Sequence, residues 1–337
     1  MSTLSASVAN AILGATTTSN EEFEYVAAEI GFDLSELRDP EGRVSYDQYI
    51  AIWNEAIHRT GDTYLGLHVA ERVNNDQLGV ISQACLLCSN LGQALDLLLR
   101  YNRLTNDAVD VHLEHADGEV RLSFNLCFPP WSVPRPEAEF VLAVICHSIS
   151  RVLGRKIYPL EVRFKHTEPP DLGEYKRTFG DNVVFSYRAN ELVFPSALVE
   201  EPSSNSDPAA YAAMEKRSAE MIKKLPPADP LINKFRKTVF NALGMGDVSM
   251  QSISRLMNIS ADKLRKELST RRTSFRFLVN SIKRDIALVY LEDRSWSLSD
   301  VAFVLGFSDT SSFNRSFRGW TGETPTEYRR FFFGDPE

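Results

Sequence analysis

The chain has 337 residues, more than one ordinary domain uses, so at least two domains are expected. Hydrophobic residues make up 43% and charged residues 24% of it, a globular composition that excludes wholesale disorder. The formal net charge of −8 by itself argues against a nucleic-acid partner, but the charge is unevenly distributed. Residues 1–225 hold 20 Lys and Arg against 32 Asp and Glu, whereas residues 226–337 hold 17 against 13. This division suggests two different tasks and makes a polyanion a candidate partner of the second half.

Nothing in the sequence predicts export, a membrane span or a metal site. The first 37 residues lack Lys and Arg, which a secretory signal needs before its apolar stretch. The longest apolar run, Phe140–Cys146, is far shorter than the roughly 18 residues of a membrane span. Cys85 and Cys88 have C-x-x-C spacing but lack the further ligands or the thioredoxin-like context of a zinc or redox site. We therefore expect a cytoplasmic protein with buried reduced thiols, no membrane segment, no metal and no cofactor.

The amino-terminal half changes its hydrophobic period along the chain. Four segments have apolar residues at helical spacing, namely 21–30, 46–58, 91–104 and 134–153. Alternating segments at Ala108–His115 and Val120–Cys127 predict a hairpin, with Gly118 in its turn. Further strands are predicted at 160–165, 183–187 and 192–194, and a short helix at 172–179. The half is therefore expected to be α+β.

A polar, proline-containing run at Glu200–Pro208 breaks regular structure and precedes a polar helix, Ala209–Lys224. After Pro230 nearly the whole chain has helical spacing. We expect an α+β domain over residues 1–205, a linker over 206–229, and an all-α domain over 230–334.

The basic half contains an internal repeat, because residues 249–268 resemble residues 297–317 after a shift of 48 positions. One extra residue in the second copy then aligns Leu264 and Leu268 with Phe313 and Phe317. The pattern of each copy predicts a short apolar helix, a turn and a second helix. The aligned leucine or phenylalanine residues anchor the second helix in the core, and its opposite face is expected to be exposed. This pattern predicts two helix-turn-helix units.

The turn and cap residues support this interpretation. Asn258 and Gly306 are residue types that tolerate a left-handed conformation at a helix end. Ser260 and Ser308 follow, each placed to cap the next helix. Between the copies, Ser274–Glu292 forms an amphipathic helix of roughly 27 Å. Recognition helices in successive major-groove segments of DNA lie about 34 Å apart, so the spacer has a suitable length. A plain repeated helical bundle is the alternative, and the basic charge argues against it.

With this repeat, the carboxy-terminal half resembles the AraC/XylS family of bacterial transcription regulators. The second unit carries the family signature at Ala302, Gly306, Phe307, Ser308, Phe313, Arg315, Phe317, Gly322, Pro325, Tyr328 and Arg329. The first unit matches at Ser260, Leu264, Leu268, Thr273, Ser274, Phe275, Ala287 and Leu291. Two positions depart from the pattern: Asp262 stands where a basic residue is common, and Arg272 where Gly is usual.

The amino-terminal half is similar to the subfamily whose regulatory region is an arabinose-binding-like domain. The segments that carry this looser similarity are 79–100, 158–166, 175–185 and 192–208. The resemblance implies a homodimeric, sequence-specific DNA-binding regulator, expected to be an activator that contacts RNA polymerase. It also implies a small-molecule effector, often an amino acid or a related compound.

The outward positions of the two second helices and several nearby cations form the predicted DNA-contact set. They are Ser260, Lys263, Arg265, Lys266, Arg271, Arg272, Arg284, Ser308, Thr310, Ser311, Ser312, Asn314, Arg315, Arg318 and Arg329. Arg265 has the donor geometry to pair with guanine, and Asn314 can pair with adenine. Arg271, Arg272, Arg284, Arg318 and Arg329 are the phosphate candidates.

The residues before 200 contain no recognisable catalytic set, and the sequence does not locate the effector site. His112 and His115 lie on opposite faces of a predicted strand, and His147 lies within an apolar helix. We therefore expect no enzyme. Two alternatives remain open: a small-molecule enzyme regulated by its carboxy-terminal helices, and an interaction protein that keeps the helical bundle without binding DNA.

Overall fold

The computed structural model describes residues 2–227, 229–244, 246–271 and 273–333, and the chain divides into two compact units. The α+β unit consists of Ser2–Asn125 and Arg135–Pro227. The helical unit consists of Leu126–Pro134 together with the described residues from Asp229 onward.

The α+β unit alternates helices with short strands. In chain order its elements are β1 (Thr3–Ser5), α1 (Ala6–Thr16), α2 (Asn20–Ile30), α3 (Leu34–Arg38), β2 (Arg43–Ser45), α4 (Tyr46–Thr60), α5 (Leu65–Arg72), α6 (Val80–Leu86), α7 (Leu91–Thr105), β3 (Val109–Ala116), β4 (Glu119–Leu126), α8 (Arg135–Val152), β5 (Glu161–Arg163), α9 (Gly173–Phe179), β6 (Val183–Val184), β7 (Asn190–Pro195) and α10 (Pro208–Lys224). The α+β prediction is confirmed, and so are the predicted long helices at α2, α4, α7 and α8.

A five-stranded sheet has the order β3-β4-β7-β5-β6. Strand β7 pairs antiparallel with both β4 and β5, while β5 and β6 are parallel. The hairpin β3-β4 turns through Asp117 and Gly118, whose φ angles are 55° and 79°. Positive φ at both central residues gives the turn that matches the right-handed twist of paired strands. The predicted hairpin is therefore confirmed, with Gly118 in the conformation expected of it.

A second, two-stranded sheet pairs β1 with β2 and was not predicted. Each strand has three residues, too few for an alternating pattern to be recognised. The short helices α3, α5 and α6 were not predicted for a similar reason, since five to eight residues span about two turns or fewer. Helix α1 was also not predicted, although it has 11 residues, because most of its residues are small and its apolar spacing is weak.

The core of the α+β unit is built around α7 and α8. Helix α8 packs against α5 and β7, and α7 packs against α6 and β3. Helix α10 falls in the stretch 206–229 that the sequence assigns to a linker. Its Met214 and Ile222 pack against a buried cluster that includes Leu97 and Tyr101 of α7. This stretch therefore contains a helix held by apolar contacts.

Buried and half-buried polar contacts tie α8 and α5 to their surroundings. Arg135 donates to Glu139 within α8 at 2.6 Å, and the Tyr175 hydroxyl donates to the same carboxylate. Burial raises the pKa of Glu139, although the charge of Arg135 opposes the shift. On α5, His68 lies between two carboxylates, 2.7 Å from Asp62 and 3.2 Å from Glu174.

The helical unit contains α11 (Pro230–Leu243), α12 (Met250–Leu256), α13 (Ala261–Thr270), α14 (Phe275–Leu291), α15 (Leu298–Val304), α16 (Thr310–Thr321) and α17 (Pro325–Phe333). Helix α14 packs against α11, α15, α16 and α17. The segment Leu126–Pro134 belongs to this unit through two aromatic contacts. The Arg236 guanidinium lies 4.2 Å from the ring centroid of Phe128, and the ring centroids of Trp131 and Phe240 are 5.2 Å apart.

The four cysteines are reduced thiols, of which Cys88 and Cys146 are buried and Cys85 and Cys127 are half-buried. Burial raises the pKa of Cys88 to about 12. Within the described residues, no cluster of three or more His, Cys, Asp or Glu is placed to hold a metal ion. None of the described helices is long and apolar enough to cross a membrane.

Candidate nucleic-acid interface

The first helix-turn-helix unit consists of α12 and α13. Ile253 of α12 and Leu264 and Leu268 of α13 are at most 1% exposed, so the two helices hold each other by the residues the repeat predicted. The Ser260 hydroxyl caps α13 by accepting a hydrogen bond from the Lys263 backbone N–H at 3.2 Å. The apolar anchors fix one face of α13, and its opposite face is left outward.

The second unit consists of α15 and α16 and is anchored by aromatic residues. Phe313 and Phe317 are fully buried, and their ring centroids are 5.8 Å apart. The helix cap differs from the prediction: Asp309, not Ser308, accepts from the backbone N–H of Ser312, at 2.7 Å. The extra residue in the second copy shifts the helix start by one position. Ser308 instead donates its hydroxyl hydrogen to the Asp309 carboxylate at 2.9 Å.

Both turns use the left-handed backbone conformation that the sequence predicted. The φ angle is 59° at Asn258 and 72° at Gly306. Asn tolerates this region and Gly adopts it without a steric penalty, which explains the two residue types at one repeat position. The turn geometry of the two units is therefore equivalent even though their sequences differ.

Helix α14 joins the two units and is fixed to α11 by a buried polar network. Arg236 of α11 donates to Asp285 at 3.1 Å and to the Ser281 hydroxyl at 3.2 Å. Arg236 and Asp285 are 4% and 5% exposed. The 17 residues of α14 rise about 26 Å along its axis. The network holds the spacer in a defined position within the helical unit.

The outward face of α13 is cationic. Lys263, Arg265 and Lys266 are exposed, and the Arg265 guanidinium donates to the Asp262 carboxylate at 2.9 Å. The two members of this pair have side chains 67% and 92% exposed. Such an exposed pair contributes about 0.2–1 kcal/mol, so a nucleic-acid base can displace the carboxylate at little cost. Asp262, the acidic residue that departs from the family pattern, thus pairs directly with Arg265.

The outward face of α16 combines cations with hydroxyl groups. Arg315 and Arg318 are exposed, and Arg315 donates to the Ser312 hydroxyl at 3.2 Å. Of the hydroxyl candidates on this side, Ser308 and Ser311 are exposed, whereas Thr310 and Ser312 are half-buried.

Asn314 is half-buried, and its Oδ1 atom is enclosed without a hydrogen-bond partner among the described residues. Pairing with adenine uses both the oxygen and the nitrogen of the amide. The Asn314 side chain would therefore have to turn outward for the predicted contact.

Three predicted phosphate candidates have their guanidinium groups engaged within the helical unit. Arg271 pairs with both Asp229 and Glu267, and Arg284 donates to Asp285 at 2.6 Å. Arg329 donates to a backbone carbonyl of α14 at 3.3 Å, and burial lowers its pKa. The acidic partners of Arg271 and Arg284 therefore partly compensate the charges of these two arginines. Arg272 lies outside the described residues.

Two features of the helical unit were not anticipated. Asp309 is the N-cap of α16, and the sequence signal was available, since an acid precedes the helix and Ser follows three residues later. Phe303 of α15 is 79% exposed, which no pattern of apolar spacing distinguishes from a core position.

Comparisons with known proteins match two families and several transcription regulators. The family described as the arabinose-binding domain of AraC transcription regulators, amino-terminal, matches residues 22–203, and a helix-turn-helix domain family matches residues 253–330. An ornithine utilization regulator of Pseudomonas aeruginosa is 27% identical and covers 91% of this chain and 92% of its own length. The HTH-type transcriptional regulator VqsM of the same organism is 22% identical, over 84% of this chain and 88% of its own. Among solved structures, the transcriptional regulator CdpR from Pseudomonas aeruginosa is 20% identical over 93% of this chain and 99% of its own, with a TM-score of 0.41.

The matched families and relatives are transcription regulators rather than enzymes, which removes the enzyme alternative. The amino-terminal match alone covers more than half of the chain, and the second match covers both helix-turn-helix units. The chain therefore belongs to the AraC family of transcription regulators and is a DNA-binding regulator with an arabinose-binding-type amino-terminal domain.

Proposed function

We propose that α13 and α16 each enter the major groove of promoter DNA and that α14 sets the distance between them. The observation that carries this proposal is the pair of capped helices, each anchored by buried residues and cationic on its outward face, joined by a spacer of about 26 Å. Two major-groove segments on one side of B-DNA lie about 34 Å apart, which a helix of this length can bridge once the width of its partners is added.

Different side chains on these faces have different tasks in the proposal. Arg265 reads guanine after releasing Asp262, and Arg315 contacts a base edge near Ser312. Phosphates are bound by the exposed cations of the two helices, which are Lys263, Lys266 and Arg318. Short hydroxyl side chains add phosphate or base hydrogen bonds, and these are Ser260, Ser308, Thr310, Ser311 and Ser312. The engaged residues Arg271, Arg284 and Arg329, together with Arg272, remain phosphate candidates of lower priority.

The α+β unit, in the same proposal, binds a small effector and thereby changes promoter occupancy in the cytoplasm. Homodimer formation and activation through RNA polymerase are supported by membership of the family. The exposed Phe303 ring offers an apolar contact for the polymerase, because aromatic side chains are enriched in protein interfaces. A Phe303→Ser variant that binds DNA normally but activates transcription less in a purified system would support this contact.

The direct test uses the full-length chain to select duplexes from a random-sequence DNA pool. Gel-shift titrations of the selected duplex then measure affinity across a range of salt concentrations. We expect a steep fall of affinity with salt, because phosphate contacts release counterions. Arg265→Ala should weaken binding by about 1–3 kcal/mol and relax the preference at one base position. Failure to enrich any sequence at low salt would refute the proposal and favour an interaction protein without DNA binding.

A further inference from the structure

An apolar cavity of about 160 Å³ lies within the α+β unit and is partly open to solvent, since Leu98, Val141 and Val144 of its lining are only half-buried. It is lined mainly by α6, α7 and α8, with further residues from β1, α1, α4, β3 and β4. All of these elements belong to one compact unit, so the cavity is a property of that unit alone.

Helix α7 presents one continuous stripe to the cavity. Its lining residues include Leu91, Ala94, Leu95, Leu98 and Asn102. These positions recur at intervals of three, four and seven residues, which places them on one side of the helix. The same helix therefore serves the core with Leu97 and the cavity with the adjacent stripe.

Helix α8 faces the cavity with a second apolar stripe. Val141, Val144 and Ile145 line the cavity and are half-buried, whereas Leu142 and Ala143 on another side of the helix are fully buried. Helix α8 thus carries more apolar surface than its packing against the rest of the unit covers. The apolar surface along this partly open cavity lacks the dispersion contacts that close packing supplies, and part of it is exposed to water. A bound apolar molecule would restore those contacts.

The lining excludes a charged ligand. Among the described lining residues there is no Asp, Glu, Lys, Arg or His. Burial raises the pKa of the Cys85 thiol, which keeps that group neutral. Ser148 donates to the Val144 carbonyl at 2.7 Å and Asn102 donates to the Val109 carbonyl at 2.6 Å, so these polar groups already use donors within the unit. The Ser82 and Thr105 hydroxyls also line the cavity and can form a hydrogen bond with one hydroxyl of a ligand.

The volume limits the size of the ligand. An apolar cavity of about 150 Å³ in another protein stays dry and binds benzene. A cavity of this size therefore suits a molecule of about six to ten non-hydrogen atoms. Arabinose, which the family description names, carries several hydroxyls, and an amino acid carries two opposite charges. Either molecule would lose its hydration here without gaining partners.

We propose that this cavity is the effector site and that it binds an uncharged, mainly apolar molecule with at most one hydroxyl, built on a small aromatic ring or a short aliphatic chain. The effector role rests on the function proposed above, whereas the binding and its chemical class rest on the cavity. This class differs from the amino-acid effector that the family resemblance implied.

The test measures thermal unfolding of the full-length chain with three probes at equal concentrations. They are 1-hexanol, benzyl alcohol and L-norleucine, which has the same six-carbon skeleton as 1-hexanol but is a zwitterion. A ligand that binds only the native state raises the melting temperature, here by a few degrees at about ten times Kd. We expect this rise with either alcohol and none with L-norleucine. The alcohol that gives the larger rise identifies a chain or a ring.

Leu98 and Leu99 provide a matched pair of variants, because both are half-buried neighbours on α7 and only Leu98 lines the cavity. Leu98→Trp should fill the cavity and abolish the rise, and Leu99→Trp should retain it. Circular dichroism and DNA affinity without probe report whether each variant is folded. If Leu98→Trp does not fold, Ser148→Leu fills the cavity from α8 instead.

Three results would overturn the proposal: no rise with either alcohol, an equal rise with L-norleucine, or an unchanged rise in the filled variants. Binding of the selected duplex distinguishes a failure of the cavity proposal from a failure of the proposed function. DNA binding without any probe effect refutes the cavity site alone. A cavity-dependent probe effect in a chain that selects no DNA upholds the site and refutes the function. A cavity-dependent melting shift without a change in DNA affinity upholds the binding site and refutes its effector role.

Discussion

Replacing Asp285 with Ala should lower the free energy of unfolding of the helical unit by about 3–5 kcal/mol. The substitution leaves the Arg236 guanidinium buried without its carboxylate, and an uncompensated buried charge is much more costly than a missing surface contact. Because Arg236 and Asp285 join α11 to α14, the loss affects the helix that carries both helix-turn-helix units.

The structure places the expected loss near the lower end of that range, at about 3 kcal/mol. Arg236 is 4% exposed and keeps two contacts after the substitution. One is the Ser281 hydroxyl at 3.2 Å, and the other is the ring of Phe128, whose centroid lies 4.2 Å away. These contacts stabilise the remaining charge but supply no opposite charge. Arg284 also loses its contact with Asp285 in this variant.

Urea denaturation followed by circular dichroism measures the effect, with the midpoint compared at constant slope. Asp262→Ala is the control, because its exposed pair with Arg265 should change stability by no more than about 0.5 kcal/mol. The double variant Arg236→Met, Asp285→Leu should recover most of the loss, since well-packed apolar residues can replace a buried ion pair. A loss in Asp285→Ala no larger than that of the control would refute the reasoning.

Three further results are expected. In urea denaturation, Asp309→Ala should lower the free energy of unfolding by about 1 kcal/mol, because Asp309 caps α16. Ser308→Ala should lower it by less than about 0.5 kcal/mol. The reverse order would contradict the cap assignment. Burial lowers the pKa of His68, but its two carboxylate neighbours outweigh burial, so the pKa is raised. The interaction of protonated His68 with these carboxylates therefore contributes fully to stability below about pH 6.5, and this contribution is lost as the pH rises through the pKa of the folded state. His68→Gln should flatten that decline in a pH series of thermal unfolding, and an unchanged slope would refute the role of His68. Lys266→Ala should reduce the slope of log affinity against log salt concentration by about 1, because one phosphate contact is lost. Lys237→Ala, a change at an exposed position of α11, should leave this slope unaltered. Equal effects of the two variants would show that Lys266 is not part of the DNA interface.

Periodicity and residue type predicted the elements that are long or repeated. The stripes of α4, α7, α8 and α14 and the alternation of the β3-β4 hairpin are each visible in one short stretch of chain. The repeat was predictable because the same anchoring positions recur after a fixed shift, and an outward recognition face follows from buried Leu264 and Phe313. Local order of this kind depends on neighbours within a few residues, which a single sequence displays.

The tertiary structure brings together groups that lie far apart in the sequence. Arg236 and Asp285 are 49 positions apart, and Arg271 and Asp229 are 42 apart, so no local pattern predicts these two pairs. The pair of Arg271 with Glu267, in contrast, has the i,i+4 spacing of a helix and is visible in the sequence. The cavity depends on two helices whose apolar stripes are each ordinary in sequence and which leave a void only when packed.

The amino-acid sequence by itself determined the two-unit organisation, the helix-turn-helix repeat and the split of charge between the halves. Spacing and composition are local or additive properties, and they survive without coordinates. Which arginines pair across long stretches of sequence and which apolar side chains line the cavity of the α+β unit are set by contacts between distant segments. Those contacts fix the position of a side chain to within an ångström or so, a precision on which hydrogen bonding and desolvation depend and which periodicity does not supply.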